Sequence, residues 1–258
     1  MANRLTEISP GVFVATAVAY VTTTTVVAGK DGGCLVIDPA VTVEEIEGLA
    51  ASMASLGLRP VVGWSTHAHW DHMLWHPSLG DVVRYATPAA VTDAAKSRAE
   101  NVAGLDEEAA GHDHSLFGQI TPLAGDIIRW EGPPAQVISH DGHAPGHGAV
   151  FLPESGVLIA GDMCSDIEMP LLMNDDAGDQ LAAYRTGLDR LAAVPGLRWV
   201  VPGHGHVGDG AEFRRRVALD HAYLDQLSAD GPVSDPRITS DFLRGAHEAQ
   251  LREVRAHA

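Results

Sequence analysis

Two cysteines, Cys34 and Cys164, are all that 258 residues carry. A disulfide-stapled scaffold is excluded, and a reduced, cytoplasmic setting is the expectation. Basic side chains are scarce as well. There are 17 Lys and Arg, of which only Lys30 and Lys96 are lysines, against 34 Asp and Glu, for a net charge of −17. Such a surface repels phosphate backbones and anionic membranes, so neither nucleic acid nor membrane is expected as a partner. No apolar run approaches the roughly 18 residues of a membrane span. The opening MANRLTEISPGVFVA has no basic stretch followed by an apolar one, so no secretory signal is read there. No repeat, low-complexity segment or linker interrupts the chain. With 45% hydrophobic residues, one large domain over residues 1–258, ending in helices over about 210–258, is the simplest organisation.

Histidine is plentiful: 14 residues, three of them in Thr66-His67-Ala68-His69-Trp70-Asp71-His72. That stretch follows the apolar run Pro60–Trp64, so three imidazoles and a carboxylate sit at the end of a strand. Such a cluster is a poor core and a good way to aim nitrogen and oxygen ligands at a metal from a rigid edge. His67 and His69, at i and i+2, share one side of an extended segment but not of a helix. Asp71 and His72 follow where the chain turns and are placed to face a second ion.

Elsewhere the pattern alternates between strands and helices. Gly11–Val18 and Val21–Ala28, rich in Val and Thr, read as strands, with a turn at Lys30–Gly33. Cys34–Ile37 is a buried strand ending at Asp38-Pro39. Thr42 and Glu45 make a capping box, and Val43, Ile46, Leu49, Ala50 and Met53 form the stripe of the helix that follows. Further strands are expected at Pro60–Ser65, Val82–Tyr85, Ile127–Trp130, Gln136–Ser139, Ala149–Leu152, Val157–Ala160 and Trp199–Val201. Helices are expected at Pro88–Val102, Asp179–Ala193, Glu212–Leu227 and Ile238–Val254. Gly104–Gly118, acidic and weakly patterned, reads as a lid or binding loop. Ser165–Gly178 is the other candidate pocket wall. Together these suggest an α/β (α+β) fold of two packed sheets flanked by helices.

Three later stretches each place a ligand type beside glycine after a strand: Gly142-His143-Ala144-Pro145-Gly146-His147, Gly161-Asp162 and Pro202-Gly203-His204. With the HxHxDH cluster they resemble, in order, the signature of the metallo-β-lactamase superfamily. That resemblance spans residues 67 to 204 and implies a four-layered αββα sandwich. It implies one divalent ion on His67, His69 and His143, a second on Asp71, His72 and His204, and Asp162 shared by both. Zinc suits this donor set, with Mn and Fe as alternatives. Asp71 and Asp162 take the catalytic positions. His147, His140 and His206 are expected beside the site rather than in it, with His147 kept open as the alternative to His143.

The resemblance also implies a reaction. Two ions about 3.5–4 Å apart share a hydroxide and polarise the bond it attacks. Histidine at position 69, where the family's diiron oxidoreductases resemble HxExDH, favours hydrolysis. Asp162 argues against antibiotic hydrolysis, because true β-lactamases lack the bridging aspartate. The expectation is a hydrolase of a small-molecule lactone, ester or thioester, its preference set by an apolar wall along Met163, Ile167, Met169, Leu171, Leu172 and Met173. A glyoxalase II-like thioesterase, an iron-dependent dioxygenase and a non-catalytic metal-binding protein remain alternatives. In glyoxalase II-like enzymes basic residues late in the chain hold glutathione; Arg214, Arg215 and Arg216 are the residues to examine for that role, against their forming one solvated side of a helix.

Overall fold

The computed structural model describes residues 4–173 and 179–256. Among these, one sheet runs in chain order through β1 (Thr6–Ser9), β2 (Val12–Thr16), β3 (Thr23–Ala28), β4 (Gly33–Ile37), β5 (Arg59–Trp64), β6 (Arg84–Ala86) and β7 (Thr121–Pro122). The other contains β8 (Ile127–Ile128), β9 (Ala135–His140), β10 (His147–Leu152), β11 (Val157–Gly161), β12 (Trp199–Pro202) and β13 (Gly208–Asp209), ordered β13-β12-β11-β10-β9-β8. Helices α1 (Val43–Ser55), α2 (Pro88–Lys96) and α3 (Arg98–Glu108) pack on the first sheet, and α4 (Gln180–Ala192), α5 (Gly210–Ser228) and α6 (Asp241–Ala256) on the second.

Strand alternation builds these layers. In β4, Cys34 and Val36 face the helices, while Leu35 and Ile37 face the second sheet. In β10, Val150 and Leu152 meet the first sheet, while Ala149 and Phe151 turn to α4 and α5. Successive side chains on a strand point to opposite faces, so both faces of each strand must be apolar here. Each fully buried Leu or Ile contributes about 1.5–3 kcal/mol. The result is the αββα sandwich.

Two parallel pairings determine where the site lies. β4 pairs parallel with β5 through α1, and β11 pairs parallel with β12 through α4. The capping box starts α1: Thr42 Oγ1 accepts from Glu45 N–H, and Glu45 reaches back to Thr42 N–H. Asp179 caps α4 on Ala182 N–H. Loops that build the site leave the carboxyl ends of β4, β5, β11 and β12, where open α/β sheets bind their ligands, and the β9–β10 turn joins them.

Some elements differ from the expectation. The helix read as Pro88–Val102 breaks at Ser97, whose hydroxyl donates to Asp93 O, and α3 then continues to Glu108. A Ser that bonds back one turn bends a helix. A third of the expected 104–118 loop, residues 104–108, is therefore helical. Residues 19–21 form a 3₁₀ turn instead of extending the two strands beside it. Short β1, β7 and β13 carry too little pattern to be read from sequence. Residues 174–178 of the expected pocket wall and 257–258 of the terminal helices lie outside the described residues.

Two buried arginines hold the loop after β11. Arg237 donates to Asp220 Oδ1 (2.6 Å), to both carboxylate oxygens of Asp235 and to Ser165 O. Arg216 donates to Glu212 Oε1, Cys164 O and His206 O. Arg216 is thus inside the protein, while Arg214 and Arg215 are exposed; the three do not share one solvated side. Arg237→Met leaves Asp220 and Asp235 buried without their cation and is expected to cost about 3–5 kcal/mol in urea unfolding. A loss below 1 kcal/mol contradicts this role.

Hydrogen bonds from Arg215 foremost, helped by Arg216 against partial burial, hold the Glu212 carboxyl down at about 2. A depressed carboxyl stabilises the fold above its ordinary pKa and loses that contribution as pH falls toward the folded value. In metal-free protein, Glu212→Gln is expected to cost about 1 kcal/mol at pH 7, scaled down for solvent screening, and to cost progressively less as pH falls from 4.5 toward 2. A cost independent of pH over that range contradicts the linkage.

Candidate metal centre

The expected ligand residues come together as two groups. His67, His69, His143 and Asp162 form one; Asp71, His72 and His204 form the other; within each, the candidate ligand atoms lie within 4.8 Å of one another. His69 Nδ1 stands 2.9 Å from His67 Nε2 and 3.0 Å from His143 Nε2. In the second group His204 Nε2 is 3.1 Å from Asp71 Oδ2 and 3.3 Å from His72 Nε2. Asp162 stands between them. Its Oδ2 is 3.6 Å from His67 Nε2, 3.5 Å from His143 Nε2 and 3.4 Å from His204 Nε2, and its Oδ1 is 3.2 Å from His72 Nε2.

The outer faces of these rings decide which nitrogen is free. His143 Nδ1 meets Leu171 O and His204 Nδ1 meets Tyr20 O, each at 3.0 Å. A carbonyl only accepts, so both Nδ1 atoms carry a proton and both Nε2 atoms face inward, His143 with a lone pair and His204 with one once its second proton is displaced. Asp38 performs this service for two more rings. Its Oδ2 accepts from His72 Nδ1 (3.0 Å) and from Thr66 Oγ1 (2.6 Å), and the Thr66 oxygen faces His67 Nδ1 at 3.0 Å. With its own hydrogen given to Asp38, Thr66 accepts from His67. Asp38 also takes Thr66 N–H on Oδ1. It sits at φ +48, a left-handed conformation costly for a non-glycine residue.

This donor set fits divalent ions. Since His69 Nδ1 faces two neighbouring ring nitrogens, at most one of those pairs shares a proton and the other leaves a lone pair without a donor. Asp162 Oδ1 is buried with no hydrogen-bond partner among the described residues. Both features call for a cation. Burial keeps His67, His69 and His143 neutral, its effect augmented by neighbouring imidazoles. Burial opposes charge on His72 and His204 too, but there the carboxylates of Asp162 and Asp71 prevail and hold both above the ordinary value. Ions entering that group therefore displace protons. Burial likewise works against ionisation of Asp71, yet His72 and His204 keep its carboxyl down at about 2, available as a ligand at neutral pH.

Tight loops make room for this. A Cβ on Gly203 would sit 1.9 Å from Asp162 Oδ1, and one on Gly161, at φ +56, would sit 2.4 Å from His147 Nε2. Only glycine allows the β11 and β12 loops to approach so closely.

The remaining histidines fall outside the groups. His147 Nε2 accepts Asp162 N–H (3.2 Å), and its ring stacks between those of His67 and His140. It holds the shared carboxylate's backbone. His206 pairs with Asp166, His114 with Asp106, His112 with Val41 O, and His76 caps Ser78 N–H. Cys164 is a buried thiol. The expected apolar wall is mostly core: Met163, Met169, Leu171 and Leu172 are buried, and only Ile167 and Met173 reach the surface. Trp75 is buried as well, while Trp70 meets Tyr20 edge-on. Asp38, Thr66 and the carbonyls of Tyr20 and Leu171 were not anticipated as site groups. Asp38 alone left a signal, a carboxylate closing an apolar strand.

Comparison with known proteins agrees with this geometry. A profile described as the metallo-beta-lactamase superfamily matches residues 18–224. A hydroxyacylglutathione hydrolase of Ruegeria pomeroyi is 29% identical over 196 residues, covering 71% of this chain and 68% of the relative. Another from a Synechococcus species is 31% identical, covering 80% and 73%. Among solved structures, a beta-lactamase domain protein from Burkholderia ambifaria aligns with all of this chain and 90% of its own at a TM-score of 0.68 and 20% identity, a likeness of fold. The chain belongs to the metallo-beta-lactamase superfamily.

His143→Ala is expected to leave about one ion per chain by elemental analysis, whereas His147→Ala retains two at saturating metal. The reverse pattern shows that the ligand register in this loop is wrong. Asp38→Ala is expected to weaken metal binding about 10–100-fold, as loss of an outer-shell partner typically does. Unchanged affinity in a metal titration contradicts its role.

Proposed function

We propose that the protein is a dinuclear metal-dependent hydrolase, carried by one domain and acting on a small-molecule ester, thioester or lactone. His67, His69 and His143 would hold one ion and Asp71, His72 and His204 the other, with Asp162 shared; zinc suits the nitrogen-rich set. When bound, such ions supply Lewis acidity and activate water near neutral pH. The observation that carries the reading is Asp162, a buried carboxylate reaching both groups with one oxygen lacking a hydrogen-bond partner.

The chain's own residues do the rest. His147 fixes the Asp162 backbone, so its carboxylate stays between the two groups. Asp38, through His72 and Thr66, holds two imidazoles in the tautomer that presents Nε2. Asp71 remains ionised. Tyr20, Trp70 and Met173 leave apolar surface available for an organic substrate.

The names of the curated relatives favour a thioester among the three substrate types. The acidic surface disfavours phosphodiesters, which approach against the field of the chain. Two buried free cysteines suit a reducing compartment such as the cytoplasm, and no described helix is long and apolar enough to cross a membrane.

Purified protein is expected to carry close to two ions per chain, to lose hydrolysis on chelation and to recover it with zinc. Asp162→Ala is expected to lower occupancy of both groups and to reduce turnover by at least a hundredfold. The decisive assay is a panel of thioesters, esters, lactones and phosphodiesters. A phosphodiester with the highest kcat/KM overturns the substrate class, and full activity with one ion overturns the dinuclear reading.

A further inference from the structure

The segments that build the site contain no Lys or Arg at all. None occurs in residues 5–29, 60–83, 99–128, 130–184 or 199–213. Two of the late arginines are engaged: Arg216 is buried on Glu212, Cys164 O and His206 O, and Arg215 is paired with Glu212. These segments therefore contribute no Lys or Arg to receive an anionic acyl or leaving group.

Glu168 sharpens this contrast. It follows Asp162 by six residues, in a turn where Ser165 Oγ accepts both Ile167 N–H and Glu168 N–H and donates to His204 O (2.7 Å). Arg237 fixes the same turn through Ser165 O. The segment is thus tied to the second ligand group. The groups acting most strongly on the Glu168 carboxylate are His204, Asp162, Asp71 and His72, yet no hydrogen bond or ion pair engages it among the described residues. Asp166, two residues earlier, is paired with His206. Burial pushes the Glu168 carboxyl up to about 7. A largely desolvated carboxylate without a partner is costly, and a cation supplied by a ligand would offset that cost. Asp38, Asp71 and Asp162 already set three negative charges against the four of two divalent ions. Glu168, ionised opposite a ligand's cation, supplies a fourth, so the protein side of the site favours a cation over an anion.

Aromatic surface is available on the same site. Tyr20, 45% exposed, packs edge-on against Trp70 at 5.8 Å between ring centroids and donates its hydroxyl to Glu108, with Asp71 a weaker influence on that hydroxyl. Aromatic faces are a recurrent way to hold an alkylammonium group.

Building on the hydrolase reading, we propose that Glu168 is a specificity-determining residue that receives a cationic nitrogen of the substrate, so that the site prefers amine-bearing esters or thioesters over anionic ones. This separates the chain from glutathione-type carriers, which are anionic.

The test uses zinc-loaded enzyme and three esters of equal chain length, ending in trimethylammonium, methyl or sulfonate. Wild type is expected to rank them cationic, neutral, anionic in kcat/KM, with at least tenfold between the extremes and most of it in KM. Glu168→Gln is expected to shrink the cationic-to-anionic ratio at least tenfold while metal content stays at two. In parallel, calorimetry measures hexyltrimethylammonium and hexanesulfonate binding to wild type, which needs no folded variant. At least tenfold tighter binding of the ammonium is expected. An anionic ester hydrolysed as well as the cationic one, a ratio unchanged in Glu168→Gln, or sulfonate binding as tight as ammonium overturns the proposal and leaves the hydrolase reading intact. No turnover of any ester, thioester or lactone overturns the hydrolase reading, and the calorimetric comparison then decides this proposal alone.

Discussion

The buried carboxylate of Asp38 is the constraint on which the candidate centre depends. It takes an N–H from His72, a hydroxyl from Thr66 and the Thr66 backbone N–H, and through that hydroxyl it fixes His67. One side chain thereby sets the tautomer of an imidazole in each ligand group. An unpaired carboxylate in this position would be expensive, so the interaction works in both directions: the loop after β5 must fold over Asp38, and in doing so it presents three histidines and Asp71. The left-handed backbone of Asp38 is the local cost of turning the chain there.

The second sheet answers the first. Its β11 and β12 loops bring Asp162 and His204 from strands that pair in parallel, and the β9–β10 turn brings His143. The 3₁₀ turn at 19–21 closes the gap between sheets: Tyr20 O accepts from His204, Gly205 N–H donates to Val21 O and Thr23 N–H donates to Gly203 O. Both Tyr20 and Val21 lie at positive φ. Strain in non-glycine residues persists only where surrounding structure over-determines it. Here that structure is the ligand loop itself.

Much of this is legible in the sequence. Of the seven candidate ligands, His67, His69, Asp71 and His72 lie in one run after a strand and His143, Asp162 and His204 lie beside glycine, and local sequence suffices to mark such runs. The two-period alternation in β4 and β10 similarly betrays strands buried on both faces. What escaped was tertiary. Thr66 and the carbonyls of Tyr20 and Leu171 acquire meaning only through partners far away in the chain, and carbonyls leave no trace in composition. The helix break at Ser97 depends on one hydroxyl choosing a backbone acceptor. Met169 and Leu171 read equally well as pocket wall or core, because apolarity does not say which surface a side chain will cover.

Anomalous diffraction from zinc-loaded crystals tests the central claim most directly. The expected result is two peaks about 3.5–4 Å apart, one among His67, His69 and His143, the other among Asp71, His72 and His204, with Asp162 reaching both. A single peak at full loading, or a peak coordinated by His147 in place of His143, would contradict the account.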